Sequence, residues 1–257
     1  MYIRIYMESR TVQSFGNSGH IVLPKGYIGR KVKFLLETKS FEDIKSDILE
    51  ILKPFLENIL GIYVYGSYAR NEQTIDSDVD VLVVVSKQVK ITHKINDYSL
   101  VFVTLEDLEK TLDENAILLL PLLKEVKTVI NPDLLKKYES YRFTRRNTKI
   151  FLESCKDVIR LNKKGIELDF DVGSIVYSLI LRIRALFMIK EIMKNRSYSK
   201  SSFFYFLKSN GINNVNELYS IYSKEREGFK VKESKVVKKD DLMKLLDMAE
   251  NMIKELK

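Results

Sequence analysis

The sequence predicts an α+β protein with three parts: a β-hairpin module at the N-terminus, a small α/β domain, and an all-helical C-terminal bundle. Two changes in residue pattern predict this order. Short β-branched runs separated by glycine and proline dominate residues 9–36 and are typical of strands and turns. Helical periodicity resumes near Leu105 and continues almost to the C-terminus. We expect the three domains to span residues 1–38, 39–135 and 136–257.

The N-terminal module has the pattern of three strands joined by two turns, because Gly16, Gly19, Pro24 and Gly26 interrupt its apolar runs. About thirty residues of this kind are too few to close a hydrophobic core alone. The module must therefore pack on the rest of the chain or pair with a second copy of itself.

The middle domain opens with an amphipathic helix over residues 40–60. Ser40 and Asp43 have the form of a capping box, and apolar residues follow at helical spacing. Pro54 removes one backbone donor and marks a kink in this helix. Three strand-like runs then follow, at residues 62–65, 79–85 and 98–104. The helical C-terminal half has its clearest breaks at residues 131–132 and 169–173, and its longest helix is expected at residues 174–194.

The composition excludes several classes of protein. A single cysteine, Cys155, allows no intrachain disulfide, and with only two histidines we expect no cysteine- or histidine-based zinc site. Arg182 and Arg184 interrupt the best candidate for a membrane span, which needs about 20 apolar residues, and the N-terminus lacks the apolar core of a signal peptide. We therefore expect a cytoplasmic protein with no membrane segment.

The net charge of +8 is unevenly distributed along the chain. Residues 1–38 carry six basic and two acidic residues, residues 61–140 carry nine and thirteen, and residues 141–257 carry 25 and 15. An acidic centre therefore lies between two basic ends. Such a centre suits a bound cation, whereas the basic ends suit polyanions.

The acidic centre holds the most informative motif of the sequence. A predicted strand ends at Gly66-Ser67, and an Asp-x-Asp pair, Asp78 and Asp80, begins the next strand. Glycine lets a phosphate approach the backbone, and Ser67 with the amides of a following helix can donate to its oxygens. Residues i and i+2 of a strand face the same way about 6.5 to 7 Å apart. Two such carboxylates suit Mg²⁺ ions about 3.5 to 4 Å apart, as in phosphoryl transfer.

Gly66-Ser67-Tyr68-Ala69-Arg70 followed by Ser77-Asp78-Val79-Asp80-Val81 resembles the signature of the DNA polymerase β-like nucleotidyltransferases, in particular the minimal prokaryotic type. The resemblance implies a small mixed sheet, with Gly66, Ser67 and Arg70 binding the nucleotide and Asp78 and Asp80 holding Mg²⁺ or Mn²⁺. It also implies transfer of a nucleoside monophosphate from ATP or another NTP to a hydroxyl acceptor, with release of pyrophosphate. Asn71 replaces a common glycine of the family, and asparagine tolerates a positive φ better than most residues.

The sequence departs from the family at a third carboxylate, expected on a later strand. The strand over residues 98–104 places Ser99 at that position, and Asp97 lies two residues earlier. Either Asp97 takes over as base and third ligand, or the site binds nucleotide without efficient transfer. We expect Asp97 to lie near the metals. The acceptor could be a protein, an RNA end or a small molecule, and the alternative to an enzyme is a DNA-binding regulator that senses nucleotide.

The N-terminal segment from Thr11 to Lys33 resembles the short AbrB-like swapped-hairpin modules of archaeal proteins, in which two chains interleave their strands. The resemblance implies a homodimer that binds DNA. The candidate phosphate contacts would be Arg10, His20, Lys25, Arg30 and Lys31. The alternative is a dimerisation module with an ordinary basic surface.

The C-terminal half resembles the helical domains of HEPN proteins and of kanamycin nucleotidyltransferase. No histidine follows His93, so the Arg and His pair of the HEPN ribonucleases is missing. We expect this half to bind substrate or to dimerise. Arg182 and Arg184 are candidates to reach the triphosphate, although a solvent-facing position or an ion pair is the favoured alternative for both.

Overall fold

The computed structural model describes residues 10–89, 93–231 and 237–256. The chain divides into two compact units, Met1–Glu37 and Thr38–Lys257. The predicted N-terminal module ends at residue 38, one residue after the end of the first unit. The boundary expected near residue 136 falls inside the second unit and stays a prediction.

The first unit contains a short hairpin in which strand β1 (Gln13–Phe15) pairs antiparallel with strand β2 (Ser18–His20). Gly16 in the turn has a φ of 57°, which favours glycine. The third predicted strand is not found among residues 21–37, where the structure has a 3₁₀ turn at Lys25–Tyr27 and otherwise irregular backbone. Three-residue strands offer too short an edge to hold a third one, so the expectation of three strands was wrong for these residues.

The described part of the first unit buries none of its side chains. Its large apolar residues are mostly exposed, from 36% for Leu23 to 79% for Leu35. They include Val12, Phe15, Val22, Ile28, Phe34 and Leu36. An apolar surface of this extent is unusual for an isolated module and indicates that something covers it.

The second unit is built around a five-stranded mixed sheet. Its strands are β3 (Ile59–Tyr65), β4 (Val79–Val85), β5 (Lys94–Ile95), β6 (Tyr98–Thr104) and β7 (Lys127–Ile130). They lie in the order β5-β6-β4-β3-β7, in which β4 and β6 are parallel and the other pairs are antiparallel. Two of the three predicted strands here, β4 and β6, have the expected bounds, and the third, β3, begins three residues early. The remaining strands, β5 and β7, were not predicted.

Helix α1 (Phe41–Leu52) covers one face of the sheet. Ser40 and Asp43 form the predicted capping box, and Ile44, Ile48 and Leu52 are fully buried against the sheet. The helix does not run to residue 60. A 3₁₀ segment replaces it over Lys53–Asn58, because Pro54 cannot donate the α-helical hydrogen bond.

The other face of the sheet is covered by helix α2 (Leu105–Glu114) and by residues from the C-terminal helices. Leu82 and Val84 of β4 share one buried cluster with Leu108, and this cluster also includes Phe143 and Ile189. Because the sheet and the helical half share a core, they form one compact unit. Two short helices, α3 (Leu120–Glu125) and α4 (Pro132–Lys136), flank β7.

Among the described residues, five further helices form the C-terminal half, which confirms the predicted α+β architecture. They are α5 (Arg145–Glu167), α6 (Val172–Met193), α7 (Lys200–Ser209), α8 (Val215–Arg226) and α9 (Lys239–Glu255). At one sequence break the first turn of α6 is capped by a side chain, since Asp171 accepts from the Ser174 amide (2.8 Å). Helix α6 is long and apolar enough to span a membrane by length and composition, but 56% of that window is buried, as in a core helix.

Candidate active site

Gly66 ends strand β3 and lies directly against the Asp-x-Asp pair. Its φ is 73°, a conformation that side chains disfavour. A Cβ at this position would lie 2.3 Å from Oδ2 of Asp80. Both observations explain why glycine is needed here. The residues after it form turns rather than the predicted helix, with the Arg70 amide donating to the Gly66 carbonyl (3.1 Å). Asn71 closes the turns with a φ of 55°, in keeping with its expected tolerance of this region.

Asp80 is the second residue of strand β4 and the central carboxylate of this region. It lies opposite Tyr65 on β3 and opposite Ser99 on β6. Burial raises the pKa of Asp80 to about 6; Arg226 opposes this shift and the charge of Asp78 adds to it. The raised pKa indicates that the nearby arginines do not fully offset the cost of burying the ionised carboxylate.

Asp78 lies just before β4 and is exposed. Its carboxylate pairs with Lys94 at 3.0 Å, and nearly half of its side chain is accessible to solvent. A pair of this kind contributes little to stability, because water competes for both groups. Lys94 can therefore give way to another cation at Asp78.

Glu125, at the end of α3, reaches the Gly-Ser turn from the far side of β3. Its Oε1 accepts from the Gly66 amide at 3.1 Å, and both of its oxygens accept from Nη1 of Arg70 at 2.8 Å. Glu72 accepts from Nε of the same guanidinium at 2.8 Å. The Arg70 and Glu125 side chains are only 14% and 10% exposed. Sequence analysis missed Glu125 because the strand that positions it, β7, was not predicted.

The structure places the backbone of Asp97 beside the start of β4, where its carbonyl accepts from the Val79 amide at 2.8 Å, and a lysine holds its side chain. Asp97 pairs with Lys39 at 3.0 Å, and Lys39 also pairs with Asp47 of α1 at 2.9 Å. Tyr98 donates to Asp47 at 2.6 Å. Strand β6 begins at Tyr98, after a turn in which Asn96 has a φ of 52°, so Asp97 is the residue just before the strand.

Within the described ranges, no group of three or more His, Cys, Asp or Glu residues is arranged to hold a metal ion. The role expected for Asp97 as base and third ligand stays a prediction. Ser99 occupies the register position next to Asp80, as the sequence indicated.

Residues 45–159 match the family model described as "Nucleotidyltransferase domain". This part of the chain is similar to nucleotidyltransferase domains. The matched range includes the Gly66 turn, both aspartates and Glu125, and it confirms the predicted class of enzyme. It gives no support to the regulator alternative.

Other comparisons add the following. Residues 5–35 match the family described as "Putative transposon-encoded protein (DUF2080)". The structure of spectinomycin adenyltransferase AAD(9) from Enterococcus faecialis, with ATP and spectinomycin, has 14% identity and a TM-score of 0.46 and covers 84% of this chain and 100% of its own. A nucleotidyltransferase-like protein from Exiguobacterium sibiricum 255-15 has 13% identity and a TM-score of 0.36, covering 82% and 75%. No curated protein matches the chain.

The helical half contributes a cationic and aromatic wall beside the nucleotidyltransferase motif. The guanidinium carbons of Arg70 and Arg184 lie 5.3 and 5.2 Å from the ring centroid of Tyr198. The backbone amide of Lys200, the first residue of α7, donates to Glu72 at 2.7 Å. Residues more than a hundred positions apart in the sequence are thus brought to one site. No local sequence pattern predicts this proximity.

Arg184 is half-buried, and its side chain forms no ion pair with any residue that the structure describes. Its Nε donates to the hydroxyl of Tyr198 at 3.0 Å and its Nη1 to that of Tyr222 at 3.2 Å. Burial raises the pKa of Tyr198 to about 12, so its hydroxyl stays neutral and cannot balance the charge. Arg182 lies elsewhere: its charge acts on Cys155 and its buried Nε has no hydrogen-bond partner among the described residues.

The candidate DNA contacts all lie in the first unit. Arg10, Lys25, Arg30 and Lys31 are exposed, whereas His20 is half-buried. The His20 ring packs edge-on against Phe15 at 5.3 Å, and its buried Nδ1 has no hydrogen-bond partner within the described ranges. The roles expected for these five residues stay predictions, as do the AbrB-like and HEPN-like resemblances.

Proposed function

We propose that the protein is a metal-dependent nucleotidyltransferase that transfers a nucleoside monophosphate, AMP by default, from an NTP to a hydroxyl acceptor. The acceptor oxygen forms a bond to the α phosphorus, the bond from that phosphorus to the bridging oxygen breaks, and pyrophosphate and a proton are released. One observation carries the proposal: the Gly66 turn lies in contact distance of the Asp80 carboxylate, which brings the phosphate-binding and cation-binding parts of the motif together.

The two aspartates fit a divalent cation such as Mg²⁺ or Mn²⁺ in charge and in donor type. Carboxylate oxygens are the ligands that Mg²⁺ prefers. The ionised form of Asp80 is undercompensated in the protein alone, and the partner of Asp78 is an exposed lysine. Asp78 and Asp80 would hold the cation, which when bound would neutralise phosphate charge and polarise the α phosphorus.

Glu125 orders the nucleotide-binding side of the site. By holding the Arg70 guanidinium and the Gly66 amide at once, it fixes the turn that we expect to receive phosphate oxygens. A phosphate group could also offer two oxygens that accept hydrogen bonds from a backbone amide and an arginine, as the Glu125 carboxylate does. Glu125 is thus the further acidic residue of the site, in a positioning role, whereas Asp97 is held by Lys39.

The wall formed by the helical half suits the negative charge of a triphosphate. Arg184 is a partly buried cation whose recorded partners are neutral hydroxyls, and Arg226 already acts electrostatically on Asp80. Cations in a partly water-excluded site bind phosphate more strongly than exposed ones. We assign Arg184, Lys200 and Arg226 to the triphosphate side of the site.

The test is metal-dependent transfer by the full-length protein. Incubation with α-labelled ATP, Mg²⁺ or Mn²⁺ and cell extract should label an acceptor, and Asp78→Asn and Asp80→Asn should each abolish labelling. Asp133→Asn, which removes an exposed carboxylate paired only with Lys136, should leave it unchanged. Labelling that survives in both site variants would overturn the proposal, and so would its absence with all four NTPs.

We further propose that the first unit pairs with a second copy of itself in a homodimer, in the cytoplasm. Its described residues expose a large apolar surface that a single copy leaves uncovered. Light scattering of the full chain should report a dimer, and Ile28→Asp with Leu35→Asp should convert it to a monomer. Retention of the dimer by that double variant would contradict this assignment.

A further inference from the structure

A groove of about 560 Å³ lies between the last turns of α6 and helix α7. It is separate from the Gly66 turn and the two aspartates, and the nucleotidyltransferase mechanism does not use it. Its lining combines aromatic side chains, hydroxyls and cations, including Phe206, Tyr205 and Lys194. Its volume falls within the range of ligand sites in proteins, roughly 300 to 1,000 Å³.

The groove offers an aromatic surface that the fold does not cover. Phe187 and Phe206 pack at 4.9 Å between ring centroids and form its floor. Beside them, Tyr205 is 76% exposed although it is a large aromatic residue in the middle of a helix. Exposed aromatic rings next to cations are typical of surfaces on which unpaired bases stack.

The charges of the lining favour an anion. Lys190, Lys194 and Arg196 line the groove together with one acidic residue, Glu191, and Lys190 also pairs with Glu255 at 2.5 Å. Glu191 is 8% exposed, and both of its oxygens are taken by Arg196, at 2.8 Å from Nε and 2.6 Å from Nη2. Lys194 is exposed, and no ion pair of its side chain is recorded within the described ranges. The groove therefore has net positive charge, which would repel a cationic small molecule.

The groove begins beside the candidate active site. The Lys200 amide at the start of α7 donates to Glu72, which also accepts from Arg70. Ser201 and Ser202, in the next positions, already line the groove. A helix rises about 1.5 Å per residue, so the groove follows α7 for roughly 15 Å away from that point.

We propose that this groove binds single-stranded nucleic acid, with a base stacked on Tyr205 and backbone phosphates near Lys194 and Arg196. A strand lying along α7 would bring its end to the Gly66 and Asp80 region, so the acceptor of the transfer is a polynucleotide end. The identity of the acceptor rests on the proposed function, whereas binding in the groove does not.

The experiment measures binding of fluorescein-labelled, mixed-sequence 12-nucleotide RNA and DNA to the full-length protein by anisotropy, from 50 to 200 mM KCl. Tyr205→Ala should weaken binding at least about fivefold without changing the salt dependence, because it removes stacking only. Lys194→Glu should weaken binding by a similar factor and reduce the slope of log affinity against log salt by about 0.7, the value for one phosphate of a single strand.

Lys163→Glu is the matched control, because Lys163 is an exposed lysine of α5. It lies two residues before Gly165, which packs against Ile175 in the first turn of α6. The groove lies at the other end of α6, about 20 Å or more away along its axis. The control should bind as the wild type does. Equal losses in Lys163→Glu and Lys194→Glu would overturn the proposal, and so would unchanged binding in both groove variants or displacement by poly-glutamate as effective as by unlabelled RNA.

Failure of this proposal can be told apart from failure of the proposed function. Asp80→Asn should keep the wild-type affinity for the oligonucleotides while losing transfer. Loss of ATP-dependent labelling with groove binding intact would remove the enzyme assignment only. Labelling that persists while no oligonucleotide binds at 50 mM KCl would remove the groove assignment only.

Discussion

Replacing Gly66 with alanine tests the contact on which the candidate active site depends. The change adds one methyl group at a residue with a φ of 73°. The new Cβ would lie 2.3 Å from Oδ2 of Asp80, whereas ordinary contacts begin at 3.4 Å. Either the turn or the Asp80 carboxylate must move by about 1 Å.

Two effects of different size follow. The positive φ alone costs an alanine about 1 to 2 kcal/mol of folding free energy. A displacement of about 1 Å at a catalytic carboxylate costs about 100-fold in rate. Gly66→Ala should therefore lower kcat for nucleotidyl transfer by about two orders of magnitude while the protein remains folded.

Gly211→Ala is the matched control. Gly211, after the end of α7, has a φ of 84° and no atom within 4 Å of an added Cβ, so this change carries the same backbone strain without the contact. Urea unfolding should show a similar loss of stability in both variants, and labelling with α-labelled ATP should fall only in Gly66→Ala. Equal activity in the two variants would refute the reasoning.

Three further predictions follow from named contacts. Glu125→Gln should lower the free energy of unfolding by about 2 kcal/mol, because it removes one of the two carboxylates that pair with the largely buried Arg70 guanidinium at 2.8 Å. Glu109→Gln, which breaks an exposed pair, should cost less than about 1 kcal/mol in the same urea titration. Arg184→Met should weaken ATP binding about tenfold by calorimetry and AMP binding much less, and an equal loss for both would contradict its assignment to the triphosphate. Hydrogen bonds outweigh the effect of burial and hold the pKa of Asp47 below its usual value, so the stability that its ionised form supplies above about pH 4 should be lost on acidification, more steeply in the wild type than in Asp47→Asn. If the wild type and Asp47→Asn lost stability equally on acidification, the lowered pKa of Asp47 would not explain the loss.

Elements with strong local signals were predictable from the sequence. The bounds of β4 and β6 and the Ser40 cap follow from the alternation of apolar residues and from capping chemistry, which act within a few residues. Strand β7 was missed because four residues carry too little pattern, and its pairing with β3 decides its conformation. The helix expected over residues 40–60 ended at Leu52 for the reason already visible in the sequence, the missing amide of Pro54.

The sequence by itself determined the Gly66 turn, the Asp78 and Asp80 pair and the serine at position 99, because strand periodicity places these residues without reference to distant parts of the chain. Only the tertiary structure decided which other groups join them. Glu125 reaches Gly66 across the sheet, Arg184 comes from a helix more than a hundred residues later, and Lys39 pairs with the side chain of Asp97. Such contacts depend on sheet order and helix packing, which bring together residues whose spacing in the chain has no regular relation to their distance in space.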